Sequence, residues 1–258
     1  LPEASDSEQI GIAASLAAVT APTERLRRGQ TMRIFRIAGA MAIGSIGFGV
    51  ASLLLYPGGT YLDRSARGYS FFHNLLSDAG MTVAFSGQPN PVGSMFATFA
   101  SVLAAAAVIG CAAGLVGVYC SSRAQRRASR TAAALLVMSC VGWVGAVFSP
   151  PNRSPLLHMH FATLALGATA AATLSFAVAT MRDRRFPRAV PLAWTAVTVM
   201  IPALLSARWW APAVTTDGAL MFHAIMQKLV IFGSVGILIY QSRVASRVAR
   251  SPRTNEQV

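Results

Sequence analysis

Apolar residues run through the chain in blocks of about twenty positions, separated by short stretches crowded with arginine, proline and glycine. A helix rises 1.5 Å per residue and a hydrocarbon core is about 30 Å thick, so about 20 helical residues cross it. Six blocks meet that length: Ile34 to Tyr56, Met95 to Cys120, Thr131 to Ser149, His158 to Met181, Pro191 to Ala207 and Phe222 to Tyr240. The pattern predicts an all-α polytopic integral membrane protein, a bundle of six transmembrane helices. The fifth block is short and contains Pro202, which a transmembrane helix tolerates when neighbours satisfy the freed carbonyl.

Composition excludes an ordinary soluble globule. Hydrophobic residues make up 54% and charged residues 12%, with a mean hydropathy of +0.52, against about 25% charged in soluble domains. The net charge of +13 would suit a nucleic-acid partner, but the arginines form short clusters beside the apolar blocks, where anionic lipid is the better partner. Arg25, Arg27, Arg28, Arg33 and Arg36 lie at the start of the first block, and Arg123, Arg126, Arg127 and Arg130 follow the second. Arg182, Arg184, Arg185 and Arg188 separate the fourth from the fifth, and Arg243, Arg247, Arg250 and Arg253 follow the sixth. These are 17 of the 22 basic residues. By the positive-inside rule both termini face the cytoplasm, which requires an even number of spans and so retains the fifth. A multi-pass protein of the cell membrane follows.

The ends divide accordingly into a disordered cytoplasmic tail over residues 1–31, the six-helix domain over 32–242 and a basic cytoplasmic tail over 243–258. The first segment has no basic n-region, and its apolar stretch from Ile10 to Val19 is too short to span, so a secretory signal peptide is not expected. The change in composition makes Met32 a candidate start. Cys111, Cys120 and Cys140 fall in or at the ends of apolar blocks, which implies no disulfide framework.

Small residues spaced by four let helices approach closely in lipid. Ala106, Gly110 and Gly114 form such a stripe, as do Gly167, Ala171 and Ser175, with shorter pairs at Ala40/Gly44, Gly47/Ala51 and Gly142/Ala146. They predict helix seams within the bundle, with a homo-oligomer face as the alternative use. Trp209 and Trp210 are expected to form part of an interfacial belt.

The remaining polar residues gather on the outer side. The segment Pro57 to Ser94 is long enough to be functional, and within it Phe72, Leu75, Leu76 and Ala79 predict one apolar face of a short interfacial helix closed by Gly80. His73 with Ser77, and Asn74 with Asp78, pair at i, i+4 on that helix. His158 and His160 follow a proline-rich turn, two residues apart, so a regular helix cannot aim both at one metal. The H-E-x-x-H spacing of zinc hydrolases is absent from the sequence, and no metal site is read. In the sixth block His223 and Gln227 share a face, and Lys228 lies at a depth where an ionisable group marks a function by default, or snorkels or pairs with Asp217 or Asp78. The candidate ligand-binding set is His73, Asn74, Ser77, Asp78, His158, His160, His223 and Lys228.

Three segments, YSFFHNLLSDAG, FSPPNRSPLLHMHFA and HAIMQKLVIFGSVGILIY, resemble an uncharacterised family of bacterial and archaeal polytopic membrane proteins, a domain of unknown function with a Ser-Asp/Glu-x-Gly loop after its first span. The resemblance implies a six-helix bundle in a bacterial plasma membrane, with Ser77, Asp78, Gly80, His158 and Lys228 at the matching positions. Asn152 stands where that family usually has an acid. The loop is also distantly similar to that of the DRAM and Sfk-like membrane proteins, associated with lipid distribution.

Three functions compete on these residues. The first is binding of a lipid headgroup or small ligand, with Asp78 fixing the loop and His158 and Lys228 contacting an anion. The second is an intramembrane lipid hydrolase using a metal or a histidine base, with Ser77 and Asp78 supplying suitable groups. The third is a small-solute transporter, although no inverted repeat or midplane charge supports it.

Overall fold

In a computed structural model the described backbone covers residues 6–119, 122–181, 183–210 and 214–250, with side chains described over 29–119, 122–181, 183–206 and 214–248. The expected tail side chains before residue 29, Cys120 and the expected tryptophan belt lie outside the described residues.

Among the described residues the chain forms six long helices: α1 (Asp6–Leu54), α2 (Pro91–Val118), α3 (Arg123–Phe148), α4 (Pro155–Met181), α5 (Ala189–Trp210) and α6 (Asp217–Arg250). Each contains a stretch long and apolar enough to cross a membrane: Gly29–Leu54, Pro91–Val118, Arg123–Phe148, Pro155–Met181, Ala189–Ser206 and Asp217–Val248. Lipid offers the backbone no hydrogen-bond partners, so an apolar run this long can cross only as a helix that satisfies its own amides. The helix starts follow local chemistry. Proline occupies the first position of α2 and α4, where its missing N–H costs nothing. The Ser122 hydroxyl accepts the Gln125 N–H at 3.1 Å and caps α3. Pro202 sits inside α5 without ending it.

Neighbouring helices pack in chain order, and α6 closes the bundle against α1 and α2. Leu115, Ala132, Ala172 and Phe176 are fully buried, while Ile43, Val141, Leu192 and Val199 point outward as lipid-facing side chains must. Two seams differ in how they use glycine. A Cβ on Gly142 would meet the Ala165 backbone at 2.6 Å and the Phe161 carbonyl at 2.8 Å, so α3 and α4 touch at the backbone there. The Gly110 and Gly114 stripe packs against Ala38 and Phe35 of α1. The expected stripe on α4 is displaced: Gly167 has nothing within 4 Å of a built Cβ, and Ala165, Ala168, Ala172 and Phe176 are buried instead. Gly47 is likewise open.

The two ends of the bundle are closed differently. At the arginine-rich end, the Gln125 amide donates to the Ala179 carbonyl (3.0 Å) and to Asp183 (2.6 Å). Arg185 pairs with Asp183 at 2.7 Å and reaches the Val118 carbonyl at 3.3 Å. Burial pushes the Asp183 carboxyl up, but Arg185 and Gln125 outweigh it and hold it below its ordinary value. Gln241 donates to the buried Tyr119 hydroxyl, tying α6 to the end of α2. The opposite end is covered by the long α1–α2 loop.

Candidate functional site

The α1–α2 loop is built on hydrogen bonds rather than on regular structure. The expected interfacial helix is a 3-10 helix of five residues, Leu76–Gly80, with Asp78 and Ala79 buried and Phe72 half exposed. The apolar face read from the sequence fails because the polar Asp78 faces inward and holds the backbone. Its Oδ2 accepts the Leu75 N–H at 2.8 Å and the Asn74 amide at 3.2 Å. The i, i+4 pairing of Asn74 with Asp78 therefore exists, without a continuous α-helix around it.

Asn74, fully buried, is the hub. Its side-chain oxygen accepts the Ser70 N–H at 2.9 Å, and its amide also donates to the Gly59 carbonyl at 3.0 Å. Its own carbonyl accepts from the Tyr69 hydroxyl at 3.1 Å and from Lys228 Nζ at 2.5 Å. Lys228, 2% exposed, also donates to the Ala224 carbonyl at 3.3 Å and lies 5.5 Å and 5.1 Å from the Tyr69 and Phe71 ring centres. Lys228 thus neither snorkels nor grips a carboxylate directly. Asn74 stands between the two charges, presenting its carbonyl to the ammonium and its amide to Asp78. Burial pushes the Asp78 carboxyl up to about 6, against the lowering pull of the Asn74 amide, the Leu75 N–H and the Lys228 charge. Burial, and then Asp78, push the Tyr69 phenol up as well.

Glycine is required where the loop doubles back. Gly59 has φ +83°, and a Cβ there would lie 2.3 Å from the Ser86 nitrogen, a position closed to other residues. The loop is then fastened to the helices from several sides. Gln227 of α6 accepts the Leu76 N–H at 2.7 Å, and the Ser52 hydroxyl of α1 lies within reach of the Ala79 carbonyl at 3.4 Å while donating to the Gly93 carbonyl of α2 at 2.8 Å. Asn152 accepts the Thr82 N–H at 3.1 Å and donates to the Thr82 hydroxyl at 3.0 Å. At this position the side chain joins the α3–α4 turn to the loop.

The remaining candidates do not join the Asn74 hub. His158 Nδ1 faces the Ala146 and Ser149 carbonyls at 2.9 and 3.0 Å. Two acceptors require a proton on Nδ1, so His158 caps the end of α3. Through Nδ1, His158 thus serves as a helix cap, apart from the Asn74 hub. His160 is exposed and bonds its own-turn Leu156 carbonyl through Nδ1 at 2.7 Å. His223 lies against the Phe222 ring. Ser77 is half-buried and outside these hydrogen bonds. Among the described residues no three of His, Cys, Asp and Glu come together as a metal site would need.

A second polar group was legible in the sequence only through His73, not through its partners. Ser70 Oγ lies 2.9 Å from His73 Nδ1, and His73 Nε2 lies 3.1 Å from Asp217 Oδ2 at the start of α6. A carboxylate only accepts, which favours the tautomer with the proton on Nε2; in that tautomer Nδ1 accepts the Ser70 hydroxyl. The spacing of Ser70 and His73 by one turn was a local signal for this contact, but Asp217 is 144 positions away and gave none. Between α5, α6 and the loop, a lateral groove of about 330 Å³ is lined by Phe71, Met200, Ile225, Lys228, Leu229, Phe232 and Gly233.

No family model, curated protein or solved structure matches this chain, so the resemblance of the three segments carries no more than the six-helix membrane fold.

Proposed function

We propose that this multi-pass membrane protein binds the headgroup or carbonyl end of a lipid, or a small ligand of the same chemistry, in the groove beside α5 and α6. The observation that carries the reading is the lining: six apolar or small residues with Lys228 as the polar one. An amphiphile needs such an arrangement, an apolar slot with one polar anchor. Two of the three ammonium protons are directed to the Asn74 and Ala224 carbonyls, which leaves one for a carboxylate, phosphate or ester oxygen. Asn74 and Asp78 act in this reading as the frame that holds the ammonium in place. The arginine clusters support an orientation with the loop-bearing end outside and the arginine-rich end in the cytoplasm of a bacterial cell.

The test is binding of a fluorescent fatty acid and of phosphatidylglycerol to the protein in nanodiscs of zwitterionic lipid. Gly233→Leu fills the groove while leaving the Asn74 hub intact, since a Cβ there meets just the flexible end of Met200 at 3.7 Å. It should weaken binding at least tenfold, as should Lys228→Met. Unchanged affinity in Gly233→Leu would remove the groove as the site.

A further inference from the structure

The geometry points to an activity beyond binding: we propose that Ser70, His73 and Asp217 form a nucleophilic relay that cleaves carboxylic esters of lipids at the loop-bearing surface. Three observations meet there. The serine, imidazole and carboxylate are in hydrogen-bond sequence, at 2.9 and 3.1 Å, the order by which a base activates a hydroxyl and a third group orients the base. The ring is used in the opposite sense from the protease template, with Nδ1 toward the serine. The chemistry requires just one lone pair facing the hydroxyl and one N–H facing the carboxylate, and the tautomer with its proton on Nε2 supplies both. Secondly, the N–H groups of Phe71 and Phe72 donate to no atom among the described residues. The amide after the nucleophile is a position from which acyl-transfer sites draw an oxyanion donor. Thirdly, Phe71 follows Ser70 directly in the chain and also walls the apolar groove, which is the ground for a preference for an acyl chain.

In the step inferred, Ser70 Oγ attacks the ester carbonyl carbon and its proton passes to His73 Nδ1, while Asp217 holds the Nε2–H. The bond to the alcohol oxygen breaks and the alcohol leaves with the proton from Nδ1. Water then attacks the acyl-serine, giving a proton to Nδ1. The acyl–oxygen bond to Ser70 breaks, the carboxylic acid departs and Ser70 regains its proton. The relay rests on the proposed groove for its acyl preference alone.

The experiment is labelling of the full chain in membranes with two fluorophosphonate probes, one carrying a long alkyl chain and one an ethyl group, with the adduct mapped by mass spectrometry. Wild type should be labelled at Ser70 by both probes. Ser70→Ala should abolish labelling, His73→Gln and Asp217→Asn should slow it at least tenfold, and Ser65→Ala should label at the wild-type rate, all with wild-type melting temperatures. Absence of label in wild type, or label retained in Ser70→Ala, overturns the relay and identifies the contact as a turn brace. Gly233→Leu separates the two proposals. It should slow the long-chain probe and spare the short one; equal rates with both would leave the relay standing and remove the groove.

Discussion

At the scale of single residues, Asn74 exists to keep two buried charges apart yet satisfied. Truncation to alanine would strip partners from Asp78, the Gly59 carbonyl and the Ser70 N–H together. Each unsatisfied buried group costs about 1–3 kcal/mol, so Asn74→Ala should lose about 3 kcal/mol or more, read as a drop of melting temperature in detergent. Asp78 adds a pH dependence. Its folded pKa of about 6 exceeds its ordinary 3.8, so between those values the folded protein holds a proton that the unfolded chain has released. The contribution is fully present below about pH 4 and is lost as the pH rises through 6, roughly 3 kcal/mol in all. Melting curves at pH 4 and pH 7 should therefore differ less in Asp78→Asn than in wild type, and an unaltered difference would assign the slope elsewhere. The sequence exposed the Asn74–Asp78 spacing and the unusual depth of Lys228. It concealed Gly59, Ser70 and Asp217 because their roles depend on partners brought together by the fold.

For the elements, hydrophobic length was a strong guide and packing direction a weak one. The six spans were readable because lipid leaves an apolar run no alternative to helix. The seams were harder, since four-residue spacing shows which residues could form a contact but not which face turns inward. Gly142 and Gly167 separate the two cases. Gly142→Ala pushes a methyl into the backbone of α4 and should cost about 1–3 kcal/mol. Gly167→Ala meets nothing and should stabilise α4 by about 0.5–1 kcal/mol through helix propensity. Paired thermal melts of the two variants check this, and equal shifts would mean that the α3–α4 seam is misplaced. His158 belongs to the same scale. As the cap on the Ala146 and Ser149 carbonyls, its replacement by alanine should lower stability by about 1 kcal/mol without altering serine labelling. Loss of labelling in a stably folded His158→Ala would return that histidine to the chemistry.

Across the whole molecule, the arginine clusters and the hydrogen-bonded loop mark opposite ends of one bundle. The tie between Gln241 and Tyr119 places the far end of α6 beside the far end of α2, while the start of α6 meets the loop through Asp217 and Lys228. That alternation is what six consecutive crossings produce, and the positive-inside rule then predicts which end faces in. Ser65 and Arg126 are both exposed, at opposite ends of the bundle. In a background without native cysteines, Ser65→Cys should react with a membrane-impermeant maleimide on intact cells, and Arg126→Cys should react after permeabilisation alone. The reverse pattern would put the loop, Ser70 and the mouth of the groove in the cytoplasm. The local geometry would survive that result, but an outer-leaflet lipid could no longer be the substrate, because access to Ser70 would come from the inner leaflet.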